Sequence, residues 1–252
     1  MFPLNVELQF HRGDIQMVIG RKSKRLSWPY AFCVFVYLTL CTGITAANDT
    51  LQCAANDFTV TAKDANDLAR TCKAADKGIH LLEGCGLAQR QPVEIEIVSK
   101  IDVAGAEDCV GRYECGTNRI KIVGPASLRN VLSDKNPFYV LSSNEYFESI
   151  VVHEVSHAIF DQNTEGRGLA EFEYVAYAMQ FLSLSGTSRK RVISQIPENE
   201  VVDLAELNDF LAASAPIRFG AKAWVHFSKS DNGCAFVTSL VSGRLRLTLP
   251  SL

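Results

Sequence analysis

Ile150-Val151-Val152-His153-Glu154-Val155-Ser156-His157-Ala158-Ile159 is the stretch on which the reading of this chain turns. Its two histidines stand four residues apart, so on a helix their imidazoles leave one face a single turn apart and can grip one metal ion. Glu154, next to the first histidine, can reach a water on that ion without being a ligand. Ile150, Val151, Val155 and Ile159 make the other side apolar, which predicts a helix buried against a core with its ligand face open to a cleft. Three polar side chains in an otherwise oily helix are costly to bury, and a bound cation would compensate them.

Working outward toward the C-terminus, a zinc site of the catalytic kind needs a third protein ligand and one position left for water. Asn163-Thr164-Glu165-Gly166-Arg167-Gly168 reads as a tight reversal, and residues 169–184 read as a second helix. In an antiparallel hairpin, His157, five residues before Gln162, and Glu173, five after Gly168, would each lie about 7 to 8 Å from the turn, at 1.5 Å per residue, and face each other. Glu171 is the rival. Two residues apart on a helix is a rotation of roughly 200°, so only one of these carboxylates can point at the metal. Ala170, Ala176 and Tyr177 share the Glu173 side, and the alanines would let the helices approach closely. Glu173 is therefore preferred to Glu171, with Glu165 a weaker option.

Toward the N-terminus, apolar residues at Leu68, Cys72, Ala75, Ile79 and Leu82 recur in steps of four and three, predicting an amphipathic helix over 65–84. His80 lies off that stripe and reads as a surface residue. Short β-type runs follow at 93–99, 110–114 and 119–123, with Gly116-Thr117-Asn118 as a turn, and they predict a small antiparallel sheet. From Asn144 onward the pattern is helical, broken at 163–168, Gly186, Pro197, Pro216 and 231–233. The order of helix, small sheet and several helices is that of an α+β domain with a mainly helical C-terminal half.

Residues 26–48 carry no charge and are preceded by Arg21, Lys22, Lys24 and Arg25 and closed by the small residues Thr45-Ala46-Ala47. This spells a secretory signal over 1–47, with 48–252 as a single domain. Met17 would begin a leader of ordinary length, so residues 1–16 read as a misassigned start. The alternatives are an uncleaved anchor, for which the apolar stretch is short of the ~20 residues a membrane needs, and a lipoprotein, disfavoured by Leu40 before Cys41. Six of the eight cysteines fall in the mature part, an even number that an oxidising compartment would pair as three disulfides. Cys109 and Cys115 could close a short loop. The location expected is secreted or periplasmic.

With 47% hydrophobic and 21% charged residues, the 252-residue chain can fill one substantial core. A formal charge of −3 from 25 basic and 28 acidic residues, with no basic stripe beyond the N-terminal segment, argues against nucleic acid as a partner.

Residues 150–159 resemble the neutral zinc metallopeptidase signature around HExxH, and Glu173-Tyr174-Val175-Ala176-Tyr177 is similar to the glutamate-bearing helix of gluzincins. Small exported bacterial families with an HExxH helix followed by an EYxAY-like helix, of undefined substrate, are similar too. A metzincin would have Gly at Phe160 and His at Asn163, and a thermolysin-like enzyme a longer spacing and Asn at Phe172. The resemblance covers about 20 of the 252 residues and implies a compact, zincin-like, gluzincin-type site for one Zn²⁺ on His153, His157 and Glu173. It further implies hydrolysis of a peptide or protein by a metal-activated water, with Glu154 as general base. Tyr174, Tyr177 and His226 are candidate donors to a developing oxyanion, and Asp161 a candidate to orient an imidazole. The competing expectation is a non-catalytic secreted binding domain with a structural or vestigial zinc.

Overall fold

A computed structural model of the chain describes residues 48–102, 109–196, 202–229 and 233–247. The expected leader, 1–47, and the expected breaks at Pro197 and Asp231 lie outside them.

Five strands form one sheet in the order β1-β2-β3-β5-β4: β1 (Asp49–Gln52), β2 (Phe58–Ala62), β3 (Val93–Val98), β4 (Gly111–Glu114) and β5 (Arg119–Val123). Alternation sets which face is buried. Phe58, Val60 and Ala62 of β2 and Val93, Ile95 and Ile97 of β3 point inward, while Glu94 and Glu96 stay on the wet face. The expectation of an antiparallel sheet holds for only part of it. β4 and β5 form an antiparallel hairpin, but β2–β3 and β3–β5 are parallel, so the sheet is mixed. The cause is α1 (Ala65–Glu83), which carries the chain from β2 across the sheet to β3, the crossover that parallel pairing requires. Gly116 (φ 73°) and Asn118 (φ 54°) turn the β4–β5 hairpin, both in the left-handed region that Gly and Asn tolerate.

α1 begins where the Asp64 side chain accepts from the Asn66 N–H at 2.8 Å. Its buried face carries the small residues Ala74, Ala75 and Gly78, and Gly78 packs against Val155 of the next long helix. That helix is α3 (Ser143–Asn163), capped by Ser142 accepting from the Glu145 N–H at 3.2 Å. Between sheet and α3 lies the short α2 (Pro125–Val131). α3 is central rather than one-sided. α1, α2, α4 and the β4–β5 hairpin all pack on it, and Val151, Val155, Ala158, Ile159 and Phe160 are fully enclosed. Each such Val, Ile or Phe contributes roughly 1.5–3 kcal/mol of burial.

The chain then doubles back through α4 (Leu169–Ser183), followed by α5 (Gly186–Ile193), α6 (Asp209–Ser214), α7 (Pro216–Lys229) and α8 (Gly233–Val241). α7 packs on α4. The whole is α+β, mainly helical in its C-terminal half. No described helix is long and apolar enough to cross a membrane.

Among the described residues there are two disulfides, Cys53–Cys72 and Cys85–Cys234, closing separations of 19 and 149 residues. In the chain-entropy account these stabilise by about 3 and 5 kcal/mol. The third expected pair is not formed: Cys109 and Cys115 are free thiols. Between them runs the extended strand β4, which at roughly 3.3 Å per residue holds their Cα atoms well beyond the ~7 Å that a disulfide can span.

Candidate metal centre

α3 and α4 bring together three of the residues singled out in the sequence. His153, His157 and Glu173 each offer an atom within 4.8 Å of the other two, and among the described residues they are the group of three or more His, Cys, Asp or Glu side chains that could hold an ion. His153 Nε2 lies 3.1 Å from His157 Nε2, 3.6 Å from Glu173 Oε2, and His157 Nε2 lies 3.6 Å from Glu173 Oε1. Ligand atoms 2.0–2.1 Å from a tetrahedral ion stand roughly 3.3–3.5 Å apart. Each imidazole nitrogen thus stands about one tetrahedral edge from the other and from its nearer Glu173 oxygen, and the donor set of two imidazoles and a carboxylate is the kind that zinc takes.

Glu171, the rival, faces elsewhere. Its Oε2 accepts from the Gly168 N–H at 2.8 Å and its Oε1 from the Leu247 N–H at 3.0 Å, so it caps α4 and ties down the C-terminal segment. Glu165 lies in the turn before α4, outside the cluster.

The cluster lies in a cleft of about 1230 Å³, whose walls include Gly111, Tyr113, Phe172, Tyr177 and Ile217. β4, at the edge of the sheet, forms one wall. A Cβ on Gly111 would fall 2.4 Å from Glu154 Oε1, so only glycine lets the strand pass this close to the carboxylate. On the other wall the Tyr177 ring meets His153 edge-on, with centroids 4.6 Å apart. Behind Tyr177, a Cβ on Gly220 of α7 would fall 2.5 Å from its Cδ1, so α7 rests its bare backbone on the ring.

Burial sets the charge states. It pushes Glu154 up to about 8, assisted by the Glu173 carboxylate and opposed by the Tyr113 backbone N–H, and pushes Glu173 up to about 7. Burial lowers His153 to about 4, against the pull of Gln180, and holds His157 well below its usual value, helped by His153. Left to itself the site favours neutral imidazoles, which are the metal-binding form, and resists the two carboxylate charges. A cation would reverse that resistance.

Two other expectations are corrected. Asp161 does not orient an imidazole: its Oδ2 accepts from the Tyr113 hydroxyl at 2.6 Å and from the Gly116 N–H at 2.8 Å, tying the β4–β5 turn to α3. His226 does not reach the cleft. Its Nδ1 is 2.7 Å from the Tyr174 hydroxyl and its ring packs on Phe236 at 4.5 Å, and Tyr174, about 100° around α4 from Glu173, does not line the cleft either. Of the three proposed donors only Tyr177 lines the cleft. His80 is exposed, as its place off the apolar stripe implied.

Sequence reading missed Gly111, Gly220, Gln180 and Ser149. Gln180 stands two turns beyond Glu173 on the same face of α4 and carried a detectable signal; the glycines carried none, because their roles depend on chain segments far away in sequence. The Cys109 and Cys115 thiols also line the cleft, both held protonated by burial and by the nearby carboxylates of Glu154 and Asp161 respectively.

No curated protein and no solved structure matches the chain. Residues 58–250, from β2 through the cleft to beyond α8, match the model of a family of unknown function (DUF6639), and the chain belongs to that family.

Proposed function

We propose that this chain is an exported, zinc-dependent peptide hydrolase of zincin-like type, with His153, His157 and Glu173 as the residues that hold the ion. The observation that carries the reading is the convergence of those three donor atoms within 4.8 Å in an accessible cleft, with the Glu154 carboxylate on the same turn of α3. A purely structural zinc is normally closed off by four protein ligands, whereas three ligands facing a cleft leave a position for chemistry. This favours catalysis over a vestigial or structural zinc.

A zinc ion held there would polarise a carbonyl and make water acidic near neutral pH. Glu154 is the proton carrier: it stands on the same turn of α3 as the two histidines, and with a cation there to favour its charged form it would take a proton from water and return it to a leaving amine. Tyr177 keeps its hydroxyl proton at every physiological pH, since burial and then the Glu173 carboxylate push it well above its ordinary value, and it is the candidate donor to an oxyanion. The partner is an extended peptide. The Val123 N–H bonds the Val110 carbonyl, so Gly111 and Tyr113 turn their backbone groups away from β5 toward the cleft; Glu154 engages the Tyr113 N–H and the Cys109 thiol the Gly111 carbonyl, so a peptide strand would add through the Gly111 N–H and the Tyr113 carbonyl. Export fits the two disulfides and the leader-like N-terminus.

The test is metal analysis of the purified chain with digestion of a random peptide library. One zinc per chain and cleavage that Glu154→Gln abolishes without loss of zinc are expected. A chain that takes up no zinc, or a Glu154→Gln variant as active as the parent, overturns the proposal.

A further inference from the structure

Behind the cleft a buried polar chain runs from α3 to α4 and back. Ser149 Oγ lies 2.8 Å from the Tyr146 carbonyl oxygen, Gln180 Nε2 lies 3.2 Å from Ser149 Oγ, and His153 Nδ1 lies 3.0 Å from Gln180 Oε1. Ser149 is 1% exposed and Gln180 4%, so water does not share these bonds.

The first contact orders the rest. Two oxygens 2.8 Å apart repel unless a proton lies between them, and a carbonyl has none to give, so the Ser149 hydroxyl donates to Tyr146. Ser149 Oγ, its proton spent, accepts from the Gln180 amide. That turns Gln180 Oε1 toward His153, where it can only accept. His153 must then carry its proton on Nδ1 and present a bare Nε2 to the cleft.

His157 has no such support. Its Nδ1 is buried and has no hydrogen-bond partner among the described residues. Its Nε2 lies 3.1 Å from the bare His153 Nε2, and one of those two nitrogens must hold a proton. In the metal-free protein that proton belongs to His157.

We propose that Gln180 and Ser149 are positioning residues that preset His153 as the Nδ1–H tautomer, so that the two histidines of the site are unequal: His153 is ready for a cation, and His157 becomes a ligand only by moving its proton from Nε2 to Nδ1. The inference rests on the metal-binding reading above for its purpose, but the tautomer assignment stands without it. The proton shift within His157 changes no net charge. Ligand histidines held by a hydrogen bond on the far nitrogen are the general rule, and losing such a partner typically weakens metal binding by about 10- to 100-fold. Here the rule is met on one imidazole and left open on the other.

The experiment is nitrogen-15 NMR of the imidazoles in the full chain, with zinc affinity measured by chelator competition. Metal-free protein should show His153 protonated on Nδ1 and His157 on Nε2. Adding zinc should convert His157 to the Nδ1–H form and leave His153 unchanged. Gln180→Leu should give His153 as a mixture of tautomers and weaken zinc binding about 10- to 100-fold, with Gln180→Glu, which keeps an acceptor at that place, recovering most of the loss. Should Gln180→Leu fail to fold, Ser149→Ala, which frees the amide to turn over, is expected to mix the His153 tautomers, and the wild-type spectrum alone still decides. His153 protonated on Nε2 in the metal-free parent, or undiminished zinc affinity in a folded Gln180→Leu chain, overturns the inference. His153→Ala separates the two readings: if that variant binds zinc like the parent, the metal site itself is wrong, whatever the tautomers show.

Discussion

α4 carries two tyrosine–histidine contacts on neighbouring faces, about 60° apart around its axis, and the two differ in kind. On one face the Tyr174 hydroxyl and His226 Nδ1 meet at 2.7 Å and Phe236 covers both rings. That pair satisfies itself. On the other face Tyr177 touches His153 only through ring edges, and the imidazoles and carboxylates around it converge on a shared point in a cleft. Polar groups that complete one another belong to the packing; polar groups that converge without completing one another call for a partner from outside.

The sharpest way to break this contrast is to withhold the metal. Glu154 and Glu173 are raised in the folded state, to about 8 and about 7 from an ordinary 4.5, so the stability they lend is full below pH 4.5 and is lost as pH rises through those values. His153 is lowered to about 4 from 6.5, so its contribution is present above pH 6.5 and lost as pH falls toward 4. Between 4.5 and 6.5 the trends oppose; above 6.5 the imidazoles are neutral folded or unfolded and only the carboxylates act. Metal-free protein should therefore lose stability from pH 6.5 to 8 in denaturant titrations, and one equivalent of zinc should remove that slope. A metal-free chain with flat stability across the range would mean that the cleft face is as self-sufficient as the other.

Removing single donors comes next. His153→Ala should abolish stoichiometric zinc, read by elemental analysis, whereas His226→Ala should leave it intact. Glu154→Gln should keep the zinc and lower peptide hydrolysis by about 10²- to 10⁴-fold, read as kcat on a cleaved library peptide. If His226→Ala costs as much zinc as His153→Ala, the division between the faces fails.

The site was legible where local spacing decides, and illegible where distant segments meet. Helical periodicity alone puts His153 with His157 and separates Glu173 from Glu171, so α3 and α4 could be read with their functional faces. The parallel pairing of β3 could not, because it depends on β2 and on the course of α1, and β1 is four exposed residues with no pattern to read. Phe58, Val60 and Ala62 did carry the alternation of a strand, diluted by the threonines between them. Asp161 illustrates the limit. One turn beyond His157, it had a spacing suited to the metal site, yet the Tyr113 hydroxyl and the Gly116 N–H of the β4–β5 hairpin claim it instead. No count along one helix reveals a competitor arriving from another.

The smallest expected effects test the two tyrosines against each other. Tyr177→Phe removes a hydroxyl from the cleft and keeps the ring on His153, so kcat should fall by on the order of 10²-fold with thermal stability unchanged. Gly220→Ala should mimic part of that loss by pushing the Tyr177 ring, since the new methyl would overlap Cδ1 at 2.5 Å. Tyr174→Phe does the reverse: it deletes one buried hydrogen bond, costing about 1–2 kcal/mol of stability, while the remaining ring still packs on Phe236 and kcat and zinc content stay at parental values. The outcome that defeats the contrast is the crossed one, with Tyr174→Phe slowing turnover and Tyr177→Phe merely loosening the fold, for then the hydroxyl that matters to chemistry would be the one outside the cleft.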